Sequence, residues 1–397
     1  MAEVGGTTMH GLFMKRMAPH AIALAFVSIV LSGIVAFPWD AAAEVPLLNN
    51  PLQGVEHKSM NLGSLTLENG QVLSDVTIAY DTYGRLAPDG RNAILITHGY
   101  TSNHHAAGRY GPADSKVGWW DRLIGPGKAI DTARFFVVSS NVLGSCYGTT
   151  GPGSLNPATG KPYGPEFPDL TMRDIVVAQR EFLVRLGVTH LVAVAGPSLG
   201  GRQAFQWAVT YPDFMDGIVA VSSSPKGLGK DDAVHHLMQR LSTDPNWNDG
   251  WYYERGGITP TLTTIRMETL KRYGIEAVIG TDHLSPGQRE ARIRRQAEAW
   301  AREFDAHSLV VLRKASVRFD AQRDFNVIRA KVLYVISRTD QLFPPSMGAR
   351  VMGRLQTAGV EATYVELDSN FGHLASGREA DQWAPALQAF LERLTTR

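Results

Sequence analysis

Short runs rich in Val, Ile, Leu and Ala recur along the chain at Ser64 to Leu67, Val76 to Tyr80, Ala93 to Thr97, Phe135 to Ser139, Leu191 to Ala195, Ile218 to Ser222, Lys331 to Ile336 and Thr363 to Leu367. Their length fits buried strands rather than helices. Helical patterns lie between several of them, most clearly over Met172 to Leu186, where Thr171 and Asp174 form a capping-box signature and Gly187 supplies a stop. Alternation of this kind predicts a doubly wound, mainly parallel sheet with right-handed crossovers and ligand sites at the carboxyl ends of its strands. The strand pattern stops over residues 226–322, which turn charged and helical, as in Pro286 to Phe304, with aromatic and Gly/Asn-rich joints around Trp247 to Gly257. That region reads as an inserted helical lid. The core is therefore expected in two parts, residues 44–225 and 323–397, the second ending in an amphipathic helix over Glu379 to Leu394 with Pro385 near its start.

Residues 1–43 read differently. Lys15 and Arg16 precede an apolar run from Ala21 to Phe37, and Ala41-Ala42-Ala43 offers a small-residue cleavage site before Glu44, the pattern of a signal peptide. The chain is thus expected in the periplasm or outside the cell, with membrane attachment only if the segment stays uncleaved as an anchor. Elsewhere the composition, 44% hydrophobic and 19% charged, is globular. A net charge of +1, from 39 Lys and Arg against 38 Asp and Glu, gives no footprint for nucleic acid and no pull toward anionic lipid. A small, fairly neutral substrate fits better. The single cysteine, Cys146, rules out an internal disulfide and is expected to pack rather than to attack.

Gly196-Pro197-Ser198-Leu199-Gly200 matches G-x-S-x-G directly after the run Leu191 to Ala195 and before a helical stretch at Gly201 to Val209. A serine on a tight strand-to-helix turn needs small neighbours, and the helix beyond it aims N–H groups where an oxyanion would form. Ser198 is therefore the candidate nucleophile. It needs a base to take its proton and a carboxylate to orient that base, in the chain order Ser, Asp, His. Asp340 follows the run Lys331 to Ile336 and His373 follows Thr363 to Leu367, so both stand at successive strand ends. Taken singly, Asp340 could cap the turn before Leu342-Phe343-Pro344 and His373 could be an ordinary loop residue; Asp368 is a rival carboxylate more suited to capping. The oxyanion donors are expected to be the backbone N–H groups of Leu199 and of Tyr100, which follows Ile94 to Gly99. His98 reads as a structural loop residue.

Other chemistries fit poorly. Gly127-Lys128-Ala129 lacks the Ser or Thr of a phosphate loop, and Arg122 stands where its first glycine belongs. The pairs His104-His105 and His235-His236 lack metal-ligand spacing and read as solvated or cleft-lining. No cofactor and no metal are expected.

With those residues assembled, the chain resembles the homoserine O-acetyltransferase family of α/β-hydrolases from about Val72 to its end. The resemblance is carried by Gly118-Trp119-Trp120, Leu123 through Thr132, Ser140 through Gly144, Thr150-Gly151-Pro152, Asn156-Pro157, Gly160 through Gly164, Phe167-Pro168, Thr171 through Asp174, Phe304 through Ser308 and Leu342 through Pro345. It implies the α/β-hydrolase fold, a catalytic Ser198, Asp340 and His373, and a helical lid often used for homodimerisation. Two features depart from the family: the expected export signal, since acetyl-coenzyme A and homoserine are cytosolic metabolites, and the residues beside the site. Where its acetyltransferases carry an aspartate after the catalytic histidine, thought to receive the amino group of homoserine, this chain has Leu374; and Arg202 replaces a familiar methionine. Desolvating an ammonium against Leu374 without a carboxylate is costly, so homoserine should bind badly. The expectation is an exported carboxylic-ester hydrolase working through an acyl-enzyme on a small-molecule ester. The alternatives are an acyl-CoA-dependent O-acyltransferase and a non-catalytic binding protein on the same scaffold.

Overall fold

The computed structural model describes residues 52–396 except 230 and 281. The expected signal segment, residues 1–43, lies outside the described residues. Among those described, no helix is long and apolar enough to cross a membrane.

Among the described residues ten strands form: β1 (Lys58–Thr66), β2 (Val72–Tyr83), β3 (Ala93–Thr97), β4 (Ile124–Gly125), β5 (Ile130–Asp131), β6 (Phe136–Ser140), β7 (Leu191–Pro197), β8 (Met215–Val221), β9 (Lys331–Ser337) and β10 (Ala362–Leu367). Eight of them make one sheet in the order β1-β2-β6-β3-β7-β8-β9-β10, while β4 and β5 pair separately. From β6 to β10 every neighbour is parallel; β2 pairs antiparallel with both β1 and β6. Each strand needs two covered faces, and β3 shows how the sequence supplies them. Ala93 and Leu95 pack into one apolar cluster while Ile94 and Ile96 pack into the other, on opposite sides of the sheet. β1 starts well before the expected Ser64 because its first half, Lys58 to Asn61, is mostly polar and alternates half-buried with exposed positions as an edge strand does, so it shows no continuous apolar run.

Helix α1 (Met172–Arg185) carries the expected capping box, with Asp174 N–H donating to Thr171 Oγ1 at 3.1 Å and Thr171 N–H to Asp174 Oδ2 at 2.8 Å. α2 (Leu199–Thr210) follows β7 directly. Between β8 and β9 the chain is helical: α3 (Asp232–Ser242), α4 (Thr259–Arg272), α5 (Ile275–Gly280), α6 (Pro286–Ala301) and α7 (Ala306–Arg318). These helices build apolar clusters of their own, one around Trp247, Leu262, Trp300 and Leu309, another around Met267, Leu270, Ile279 and Ile293. α8 (Pro345–Thr357) and α9 (Ala375–Arg378) precede α10 (Ala384–Thr395), which begins at Ala384 rather than Glu379 because Ala380–Gln382 forms a separate 3-10 turn. Pro385 sits in the first turn of α10, where a missing N–H costs nothing.

Candidate active site

β7 ends at the centre of the sheet, and the chain reverses into α2 at Ser198, whose φ of 57° and ψ of −118° are unusual for any residue but glycine. Such a turn leaves no room for side chains beside it. A Cβ on Gly196 or on Gly200 would stand 2.2 Å from Thr97 O, and one on Gly201 would stand 2.5 Å from Ser223 Cβ. The turn is pinned by Ser198 N–H donating to Val221 O at 2.8 Å and by Ser223 Oγ donating to Ser198 O at 2.6 Å. Leu199 opens α2, so its N–H has no helical acceptor, and the N–H of Tyr100 likewise makes no hydrogen bond among the described residues. Gly99 brings the Tyr100 loop against the serine: a Cβ there would lie 3.6 Å from Ser198 Cβ.

Asp340 and His373 meet across the ends of β9 and β10. His373 Nδ1 lies 2.9 Å from Asp340 Oδ2, and Asp340 Oδ1 accepts from the N–H groups of Leu342 at 2.8 Å and Phe343 at 3.1 Å. The same carboxylate thus caps its own turn and holds the imidazole. Burial pushes the Asp340 pKa up, but the hydrogen bond and charge of His373 and the two N–H groups outweigh it and keep the carboxyl below its ordinary value. Thr339 Oγ1 donates to Ser369 O at 2.8 Å and accepts from Gly372 N–H at 3.1 Å, which ties the aspartate turn to the histidine turn. The imidazole stacks on Phe343 at 5.6 Å and leans on Tyr273 at 4.7 Å. An imidazole whose Nδ1–H is committed to a buried carboxylate keeps its Nε2 lone pair for a proton. Ser198 and His373 line one cavity of about 570 Å³, together with Tyr100, Trp119, Arg266 and Leu374. His373 is thus hydrogen-bonded to Asp340 and shares the cavity with Ser198 and Tyr100, with no hydrogen bond between Ser198 Oγ and His373 among the described residues.

Other residues fall where their surroundings dictate. Asp368 is exposed and paired with Arg338 Nε at 2.7 Å, away from His373 Nδ1. Buried His98 accepts from Val142 N–H at 3.0 Å through Nε2 and sets Nδ1 2.9 Å from Gly99 O, a purely structural pairing; burial lowers its pKa to about 4. Lys128 is buried against Asp121 at 3.3 Å, which removes it from any phosphate. Cys146 packs against the lid cluster, and burial pushes its thiol up to about 12. His235 and His236 are exposed as expected, but His104 and His105 are not solvated or cleft-lining: both are buried against Asp81. Their adjacency in sequence concealed a partner on a distant strand.

Sequence patterns missed the way the lid grips the Tyr100 loop. Tyr100 Oη donates to Leu309 O, Trp300 Nε1 donates to Thr101 O at 3.0 Å, and Arg266 Nη1 donates to Thr101 Oγ1 at 2.6 Å. Arg266 also lies over the Trp300 ring at 4.9 Å, and burial lowers its pKa. No motif marks these residues, because each is an ordinary helix position until the fold faces it toward the loop. Arg202 is a further case. It is buried, hydrogen-bonds Ser316 O at 3.2 Å and Ser316 Oγ, and lies over Phe343 at 5.6 Å, so it braces α7 and the Asp340 turn at once.

Residues 92–379 match the family described as the alpha/beta hydrolase fold, the class that this strand order and serine turn define. Among curated proteins, the homoserine O-acetyltransferase of Symbiobacterium thermophilum is 40% identical over 83% of this chain and 92% of its own length. That of Moorella thermoacetica is 39% identical over 83% and 94%. Among solved structures, esterase E22 superposes with a TM-score of 0.78 at 31% identity, covering 85% of this chain and all of its own. The homoserine O-acetyltransferase from Bacillus anthracis does so with a TM-score of 0.78 at 30% identity, covering 86% and 99%. The chain belongs to the homoserine O-acetyltransferase family of α/β-hydrolases and is an enzyme of acyl-transfer type.

Proposed function

We propose that the protein is an exported carboxylic-ester hydrolase with Ser198, His373 and Asp340 as its catalytic triad. Ser198 Oγ attacks the ester carbonyl while His373 Nε2 takes its proton; the tetrahedral oxyanion sits against the N–H groups of Leu199 and Tyr100. As the carbon–oxygen bond to the alcohol breaks, His373 returns that proton to the departing oxygen. Water then attacks the acyl-serine with His373 as base, releasing the acid and restoring Ser198.

The observation that carries hydrolysis over transfer to an amino-acid acceptor is the wall beside the imidazole. Leu374 packs against the lid cluster of Met267, Leu270 and Ile275, next to His373 in the cavity. Asp121 is the acidic residue in the lining, and it is already engaged by Lys128 Nζ at 3.3 Å and by Gly108 N–H at 2.8 Å. An ammonium group would meet no free carboxylate there, whereas a neutral ester loses far less by burial than an unpaired charge does. The likeness to esterase E22 supports the same reading.

The names of the curated relatives favour a second reading, an acyl-CoA-dependent O-acyltransferase, and Arg122, Arg266 and Arg378 in the cavity lining would suit an anionic acyl carrier. A short-chain nitrophenyl ester assay, run with and without homoserine and acetyl-coenzyme A, separates them. Hydrolysis independent of both is expected. Coenzyme A release that requires an alcohol acceptor, with no ester turnover, would make the protein a transferase. Export is tested by N-terminal sequencing of the mature protein: a chain starting at Glu44 in the periplasm or medium is expected, and an intact Met1 in the cytosol would refute it.

A further inference from the structure

We propose that His57, Asp81 and His104 form a divalent-metal site of the zinc type, which fastens the loop carrying Tyr100 to the edge of the sheet. His57 precedes β1, whose pairing of Lys58 with Tyr80 sets it beside Asp81 on β2; His104 comes from the loop after β3. Three segments remote in sequence therefore deliver three ligand atoms to one point. His57 Nδ1 and His104 Nε2 lie 2.7 Å apart, and Asp81 Oδ1 is 3.9 Å from the first and 3.7 Å from the second. The 2.7 Å contact is a hydrogen bond between the two imidazoles; a zinc ion taking the place of its proton would spread that pair and draw in the carboxylate toward the roughly 3.4 Å expected between donors each about 2.1 Å from a tetrahedral ion.

The carboxylate itself points to a cation. Asp81 is fully buried, and its Oδ2 faces Tyr110 Oη at 3.1 Å, His105 Nδ1 at 3.2 Å and Tyr83 Oη at 3.4 Å. Its Oδ1, aimed between the two imidazoles, is buried without a hydrogen bond. A buried carboxylate oxygen left bare is unfavourable, and its partners on Oδ2 are the kind of outer contacts that orient a ligating carboxylate. His57 is half exposed, which leaves the site open to a water as fourth ligand. Two imidazoles and a carboxylate are the donor set of zinc rather than of calcium or magnesium. None of the three lines the cavity of Ser198, so the ion would be structural: it would anchor the loop that begins at His98 and contains Tyr100.

The test uses the full mature chain, stripped with a chelator and dialysed, and titrated calorimetrically with zinc sulfate while thermal unfolding is followed in parallel. One zinc per chain and a melting temperature that rises with zinc are expected. Cobalt in place of zinc should give visible bands of a nitrogen–oxygen site. His57→Gln, which keeps a polar side chain beside His104 at a half-exposed position, should weaken zinc binding by at least about 100-fold and lower the metal-free melting temperature by less than zinc raises that of the wild type. Asp81→Asn should abolish binding; should it fail to fold, His57→Gln decides alone. Failure of the wild type to bind zinc, or equal affinity in wild type and His57→Gln, would overturn the assignment.

Discussion

Ser198 keeps a left-handed backbone only because Val221 and Ser223 hold its N–H and its carbonyl, so the cost of the turn is met by neighbours rather than by the serine. Ser198→Ala should therefore fold as the wild type does and lose on the order of 10⁴ to 10⁶ in ester turnover, measured as kcat/KM. Asp340 has a second, pH-dependent role. Its pKa is below the ordinary value when folded, so its contribution to stability is complete above the unfolded pKa of about 3.9 and is lost as pH falls through the lower folded value. Denaturant unfolding of wild type and Asp340→Asn should show the wild type ahead at neutral pH, with the gap closing below about pH 4.

Among the elements, β3 passes close behind the β7–α2 turn. Gly200 has an ordinary φ but no space, and Gly200→Ala should cost about 1–3 kcal/mol or more in chemical unfolding, with activity lost beyond that because Ser198 shifts. Trp300→Phe keeps the packing of α6 but strands Thr101 O; about 1–3 kcal/mol of stability and about 10- to 100-fold in kcat should go, with KM little changed. This level also marks how far the sequence could be read. The buried parallel strands are visible because both their faces are apolar, and the placing of Ser198, Asp340 and His373 at the carboxyl ends of β7, β9 and β10 follows from those strands. The early half of β1, the clasp of Trp300 and Arg266 on the loop, and the grouping of His57 with Asp81 and His104 are not visible. They depend on cross-chain distances that leave no periodic trace, and an adjacent histidine pair gives no hint that a carboxylate on another strand faces it.

At the scale of the whole molecule, stability must come from packing on both faces of the sheet and within the lid, since the lone cysteine cannot form an internal crosslink. Cys146 should react with iodoacetamide at pH 8 at least about 100-fold more slowly in the native protein than in urea, because burial raises its thiol pKa to about 12. The clasp formed by Tyr100, Trp300 and Arg266 has an architectural consequence. Helices from one part of the chain end on the backbone of the Tyr100 loop beside Ser198, so cap and sheet are not interchangeable modules. A chimaera that borrowed residues 226–322 from another member of the family would inherit the wrong struts and lose turnover with its substrate cavity apparently intact. Importing Tyr100 and Thr101 together with their matching cap residues should restore it.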